Sequence, residues 1–356
     1  MTLFGLFAII FYMNQLQLNS QEVAQQFLGI LPKRMHKILE MRFGLCGTGE
    51  QMTLEAIGNK YGITRERVRQ VEADAFSRIR KSPLMDTLSG VFIGIEEYLK
   101  ANGGVVNERV LLETMAPRPR HQNYVYFLMA LNSKALVHVN ENDAYHARWT
   151  HSQSAENNAH KTISHATEEL RKIGKPVSET KLYEILSASS LSALGSAVPQ
   201  TALAHWLGIS KAIAQNHFGE WGLVEFPTIK PRGVRDLSYL VMSKTQKPMH
   251  FSDVAKAISA ATGKKTHIQT VHNELIKDDR FVLVGRGLYA LSEWGYESGT
   301  VRDIITKILH EKSSLSKNEI IAAVAERRFV KPNTIVVNLD NRRYFKKLPD
   351  GRYATR

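Results

Sequence analysis

The chain of 356 residues has a single cysteine, Cys46. That excludes a disulfide framework and a Cys-based zinc site, and it fits a reducing, cytoplasmic setting. Chemical signatures are missing too. There is no glycine-rich loop of the P-loop or dinucleotide type, no His-Glu-x-x-His and no Gly-x-Ser-x-Gly. Thirteen histidines are present, but His267 and His272 lie five apart, off the helical ligand spacing of three or four. We therefore expect a non-enzyme with no catalytic residues, metal, cofactor or small-molecule substrate. Acidic side chains are scarce, 34 against 47 Lys and Arg, and the net charge of +13 favours a polyanionic partner. No hydrophobic run is long enough to span a bilayer, which takes about 20 residues. The uncharged stretch 1–13 also lacks a basic start and a small-residue cleavage site. It reads as a packed helix, a weak membrane anchor, or non-native sequence translated from an upstream start codon. No stable membrane association is expected.

The most specific pattern runs from Thr53 to Glu72. Thr53 is placed to cap a helix whose apolar stripe is Leu54, Ile57 and Tyr61. Gly62 supplies a turn that needs positive φ, and Gly58 allows a second helix to come close. Ile63 plugs the turn, Thr64 caps the second helix, and Val68 and Val71 face inward. Arg65, Glu66, Arg69 and Gln70 are left pointing outward near a helix N-terminus. These side-chain types pair with guanine, cytosine and adenine edges in a major groove. The pattern is that of a helix-turn-helix on double-stranded DNA.

These residues resemble region 4 of the sigma-70 family of bacterial sigma factors, over about 22–82. Leu31-Pro32-Lys33-Arg34 and Ile38-Leu39-Glu40-Met41-Arg42-Phe43-Gly44-Leu45 extend the likeness upstream, and Ala73-Asp74-Ala75-Phe76-Ser77-Arg78-Ile79-Arg80 downstream. The resemblance implies promoter-type DNA and RNA polymerase core as partners. The DNA-contacting set becomes Thr53, Leu54, Lys60, Thr64, Arg65, Glu66, Arg67, Arg69, Gln70 and Arg78. It also implies that some of Ile38, Leu39, Met41 and Phe43 grip the polymerase flap while others fill the domain's own core. Nothing before Leu31 is long enough for the promoter-melting region 2 of such factors, so stand-alone initiation is not expected.

After residue 85 one plan recurs: helix, polar turn, helices, then two short strands. The fold class expected is mainly α, a region 4 helix-turn-helix (22–84) followed by tandem winged-helix modules with small β-hairpin wings. The modules are 85–150, 156–231, 232–297 and 298–356, after an apolar N-terminal segment 1–21. In the second, 187–196 reads as a loose loop. There Leu203-Ala204-His205-Trp206-Leu207-Gly208-Ile209-Ser210 reads as a helix-turn-helix with Gly208 in the turn and Ser210 at a cap. In the third, Pro248-Met249-His250-Phe251, Thr270-Val271-His272-Asn273-Glu274-Leu275 and Gly285-Arg286-Gly287-Leu288-Tyr289-Ala290-Leu291 resemble the HARE-HTH winged-helix family, which includes the delta subunit of Gram-positive RNA polymerases. Arg286 falls at the hairpin tip. In the last, Lys331 opens a candidate recognition helix, and Arg342 and Arg343 open a basic wing. Arg286, Lys331, Arg342 and Arg343 are all expected on DNA.

Three functions follow as expectations. The first is a DNA-binding transcription regulator or sigma-like factor acting with RNA polymerase. The others are a delta-like polymerase accessory subunit and the DNA-recognition subunit of a restriction or DNA-modification system.

Overall fold

The computed structural model describes residues 20–47, 49–132, 136–297, 299–328 and 330–356. The readings of 1–13 lie outside these. The fold is mostly helical with small antiparallel sheets, as expected, and it separates into two compact units, one ending at Ile213 and one beginning at Ala214. Among the described residues no helix is long and apolar enough to cross a membrane.

The first unit begins with α1 (20–29), α2 (Lys33–Phe43), α3 (Leu54–Tyr61) and α4 (Arg65–Arg80). A 3-10 turn at Pro83–Leu88 leads to α5 (Ser89–Ala101), β1 (Val105–Asn107), α6 (Glu108–Met115), α7 (Pro119–Leu131), β2 (Val137–Val139) and β3 (Arg148–Thr150). The three strands form a sheet in the order β1-β3-β2. One apolar core runs from Ala24 on α1 through Leu39, Phe43, Phe76 and Ile79 to Val125, Phe127, Leu128 and Trp149. Its centre is aromatic: Phe43 packs edge-on to Phe76 at 5.6 Å and to Phe127 at 5.4 Å. Polar ties follow the same seam. Asn123 on α7 donates to the carbonyls of Gly44 and Gly49, Tyr124 donates to Leu45, and Arg80 donates to Leu131.

Three helices close this unit before the hairpin that follows it: α8 (Gln153–Ile173) packs on α9 (Glu179–Leu194), and α10 (Gln200–Ile209) comes next. Here two expectations fail. Residues 187–194 are helical, not a loop, because small side chains bring α9 against α8, with Ser189 and Ser190 buried. Gly208 lies inside α10, and Ser210 is its C-cap. The chain then leaves as strand, bridging Ser210 to Tyr145, so no second helix follows Gly208. Buried Arg148 pairs with buried Glu156, which ties β3 to α8.

The second unit carries the end of β4 (Ile213–Gln215) and β5 (Trp221–Leu223), then α11 (Val234–Thr245), β6 (Met249–His250), α12 (Phe251–Thr262), α13 (Ile268–Lys277), β7 (Phe281–Gly285) and β8 (Leu288–Leu291). The sheet order β6-β8-β7 repeats that of β1-β3-β2. The same plan returns in α14 (Val301–Lys312), α15 (Lys317–Arg327), α16 (Pro332–Leu339), β9 (Phe345–Lys347) and β10 (Tyr353–Thr355), where Leu315 bridges Tyr353 in place of a full first strand. Capping boxes at Thr300 and Ser316 start α14 and α15.

Candidate nucleic-acid interface

The pair α3 and α4 is built as its residue pattern requires. The Thr53 hydroxyl accepts from the Ala56 amide at 3.1 Å, and the Thr64 hydroxyl from the Arg67 amide at 3.2 Å. Each satisfies one of the unpaired amides at a helix start. Gly62 sits at φ 64°, in the left-handed region. A Cβ on Gly58 would stand 2.6 Å from the Ile63 carbonyl oxygen, so only glycine lets the turn cross this close. Gly58→Ala is accordingly expected to cost about 1–3 kcal/mol through overpacking; urea denaturation reads it, and an unchanged midpoint would refute the close crossing. Beneath the turn, Ile38, Met41, Ile57 and Val68 form a small core, with Leu54, Tyr61, Ile63 and Val71 packed against it.

This core leaves Arg65, Glu66, Arg67, Arg69 and Gln70 exposed on the first two turns of α4. They pair among themselves. Arg69 donates from Nε and Nη2 to the Glu66 carboxylate, at 3.0 and 2.7 Å, and Arg67 donates to Gln70 Oε1 at 3.0 Å. The Arg69 hydrogen bond holds the Glu66 carboxyl below its ordinary range, with the charges of Arg69 and Arg65 adding to it. The face is therefore an ordered array of two donor–acceptor pairs. A base edge could replace either internal partner, since an exposed pair is weakly held.

The other expected residues are placed as follows. Thr53 and Thr64 are caps, and Lys60 is exposed on the last turn of α3. Leu54 is half-buried and packs on the small core, so its side chain is structural. Arg78 is exposed but paired with Asp74 at 3.2 Å, thirteen residues beyond Arg65, or about 20 Å along the helix axis. It lies apart from the exposed array on the first two turns of α4. Arg286 is exposed at the tip of the β7–β8 hairpin, Lys331 is exposed at the N-cap position of α16 without a side-chain cap bond, and Arg342 and Arg343 are exposed between α16 and β9. These four belong to the second unit. Two residues absent from the sequence reading line the groove between α3 and the start of α4: Glu55 and Asn59. Arg34 of α2 lies over the Tyr61 ring at 5.7 Å, a contact that depends on how α2 crosses α3.

The four apolar positions divided in advance between core and partner are all inside. Ile38 and Met41 belong to the small core, and Leu39 and Phe43 to the large one with α7. None is more than 9 % exposed. Among the described residues no group of three His, Cys, Asp or Glu could hold a metal ion.

Comparison with known proteins places this geometry. The segment is similar to RNA polymerase sigma factor RpoS of Coxiella burnetii (strain RSA 493 / Nine Mile phase I), 39 % identical over 70 residues, covering 20 % of each chain. It is also similar to RNA polymerase sigma factor SigA of Bacillus sp, 42 % identical over 60 residues, or 17 % of this chain and 16 % of the relative. The chain thus spans a fifth or less of the length of these curated relatives. The family model for sigma-70, region 4, matches residues 27–81, so this segment, helices α2 to α4 included, is a sigma-70 region 4 domain.

Proposed function

We propose that the chain is a DNA-binding transcription factor, without chemistry of its own, that reads promoter-type duplex DNA through α4 and acts with RNA polymerase. The observation that carries this reading is the exposed Arg65, Glu66, Arg67, Arg69 and Gln70 array on a region 4 helix-turn-helix. Relatives named as RNA polymerase sigma factors support the polymerase as partner. With Ile38, Leu39, Met41 and Phe43 buried, that partner would have to meet a different surface. The 232–297 module is read as a HARE-type winged helix. The order α11, β6, α12, α13, β7, β8 supports this, as does its repetition in α5, β1, α6, α7, β2, β3.

Binding-site selection on the purified chain tests the reading. It is expected to return a defined duplex motif. Arg69→Ala or Gln70→Ala is expected to weaken binding to that motif by about 1–3 kcal/mol and to relax preference at one or two base pairs. An equal loss on random duplex would reduce these side chains to phosphate contacts.

A further inference from the structure

The C-terminal module has a charge distribution that the region 4 reading leaves unused. Residues 331–356 hold seven Lys and Arg against two Asp, a local excess far above the chain's average. Lys331, Arg342, Arg343, Lys346 and Lys347 are all exposed, and among the described residues none has an ion pair. Three other cations of the module, Arg302, Lys307 and Arg327, are paired with Asp303, Glu297 and Glu311, whereas Lys312, Lys317, Arg352 and Arg356 are exposed without an ion pair among the described residues. Five solvated cations without a counter-charge, gathered in one short segment, repel one another and are stabilised by a polyanion.

Their arrangement narrows the polyanion. The outward face of α16 carries Asn333, Thr334 and Val337, followed by Asn341 just past its end, all exposed, with Val337 at 71 %. That face holds amides, a hydroxyl and one apolar group; its single charge is the exposed carboxylate of Asp340 at the C-cap, next to the cations Arg342 and Arg343. The cations sit at its two ends, Lys331 at the N-terminus and Arg342 and Arg343 beyond the C-terminus. Eight residues of helix span about 12 Å, close to the roughly 12 Å width of a B-DNA major groove. Neutral hydrogen-bonding groups would meet base edges while the flanking cations meet phosphates. Lys346 and Lys347 on β9, opposite Ala354 and Tyr353 of β10, leave the hairpin on opposite faces, so each would reach phosphates on its own side. An acidic peptide would call for cations along the helix face itself.

We propose that α16 and the β9–β10 hairpin form a second duplex-DNA contact, separate from α4 and dominated by phosphate neutralisation. It does not depend on the region 4 domain reading any base.

The test uses the full chain and a random-sequence 30-base-pair duplex, with affinity measured across a salt series. Replacing Arg342, Arg343, Lys346 and Lys347 together with Gln is expected to lower the slope of log affinity against log salt by up to about 3.6, near 0.9 for each phosphate no longer neutralised. The control changes Lys100, Lys172, Lys181 and Lys256 to Gln. All four are exposed and ion-paired, so the net charge falls equally and the slope should hold. Circular dichroism checks that both variants fold. Equal reductions in both variants would reduce the effect to overall charge, and an unchanged slope in the first would remove the site. Tighter binding to single-stranded RNA of equal length would overturn the assignment to duplex. Failure of α4 to select a motif would leave this result intact, because the slope on random DNA does not depend on base reading.

Discussion

Phe127→Ala is expected to destabilise the first unit by about 3–5 kcal/mol. Phe127 is fully buried on α7 and lies 5.4 Å from Phe43 of α2 and 6.0 Å from Phe76 of α4. Removing its ring takes one side from each of two further rings. Such aromatic pairs contribute about 0.5–1.5 kcal/mol each beyond their buried area. The consequence reaches the exposed array on α4, because α2 and α4 are held by the same core. Weaker motif binding should therefore accompany the loss of stability, though Phe127 is far in sequence from α4. Urea unfolding and motif affinity, measured together, decide the point. A loss below about 1 kcal/mol, or a region 4 domain that keeps full stability when the chain is cut after residue 84, would show that α7 does not hold it.

Glu156→Gln is expected to cost a comparable amount, about 3–5 kcal/mol. Arg148 and Glu156 are both nearly inaccessible, at 2 % and 4 % exposure. The Arg148 guanidinium also lies over the Tyr145 ring at 5.3 Å and donates to the His146 carbonyl. Removing the carboxylate's charge leaves a buried guanidinium without its counter-charge, which is the costly half of breaking such a pair. Replacing both residues by apolar ones of similar volume should recover most of the loss, and failure to recover it would point to shape instead of charge.

His160 gives the same joint a pH dependence. Its ring stacks on Tyr145 at 4.0 Å. Burial, with the Arg148 charge, holds its pKa below the ordinary value against the opposing pull of Glu156. Above the ordinary histidine range the ring is neutral in both folded and unfolded chains. As pH falls through about 6.5 the unfolded chain takes up a proton that the folded chain resists, so stability declines. His160→Gln is expected to flatten the stability profile below that pH. A profile unchanged by the substitution would assign the dependence to another group.

The helix-turn-helix was legible in the sequence because everything that specifies it acts over three or four residues. Thr53 and Thr64 cap amides three positions on, Gly62 takes a backbone conformation that other residues resist, and the 3.6-residue period puts Ile57 and Val68 inside. The same locality made the Gly285-Arg286-Gly287 hairpin readable. Where the window had no such punctuation, the reading failed. The serines at 187, 189, 190 and 192 are weak helix formers, and packing on α8, which buries Ser189 and Ser190, carries the helix through to Leu194. Gly208 looked like a turn glycine, but the bridge from Ser210 to Tyr145, 65 positions apart in sequence, decides where α10 ends. The fates of Leu39 and Phe43 were undecidable for the same reason. Their apolar character marks them for burial, but whether a partner protein or this chain's own α7 covers them depends on packing against residues far along the chain, Phe127 among them. By itself the sequence determined which residues turn, cap and face outward along α3 and α4. The tertiary structure alone decided what the remaining apolar faces are buried against.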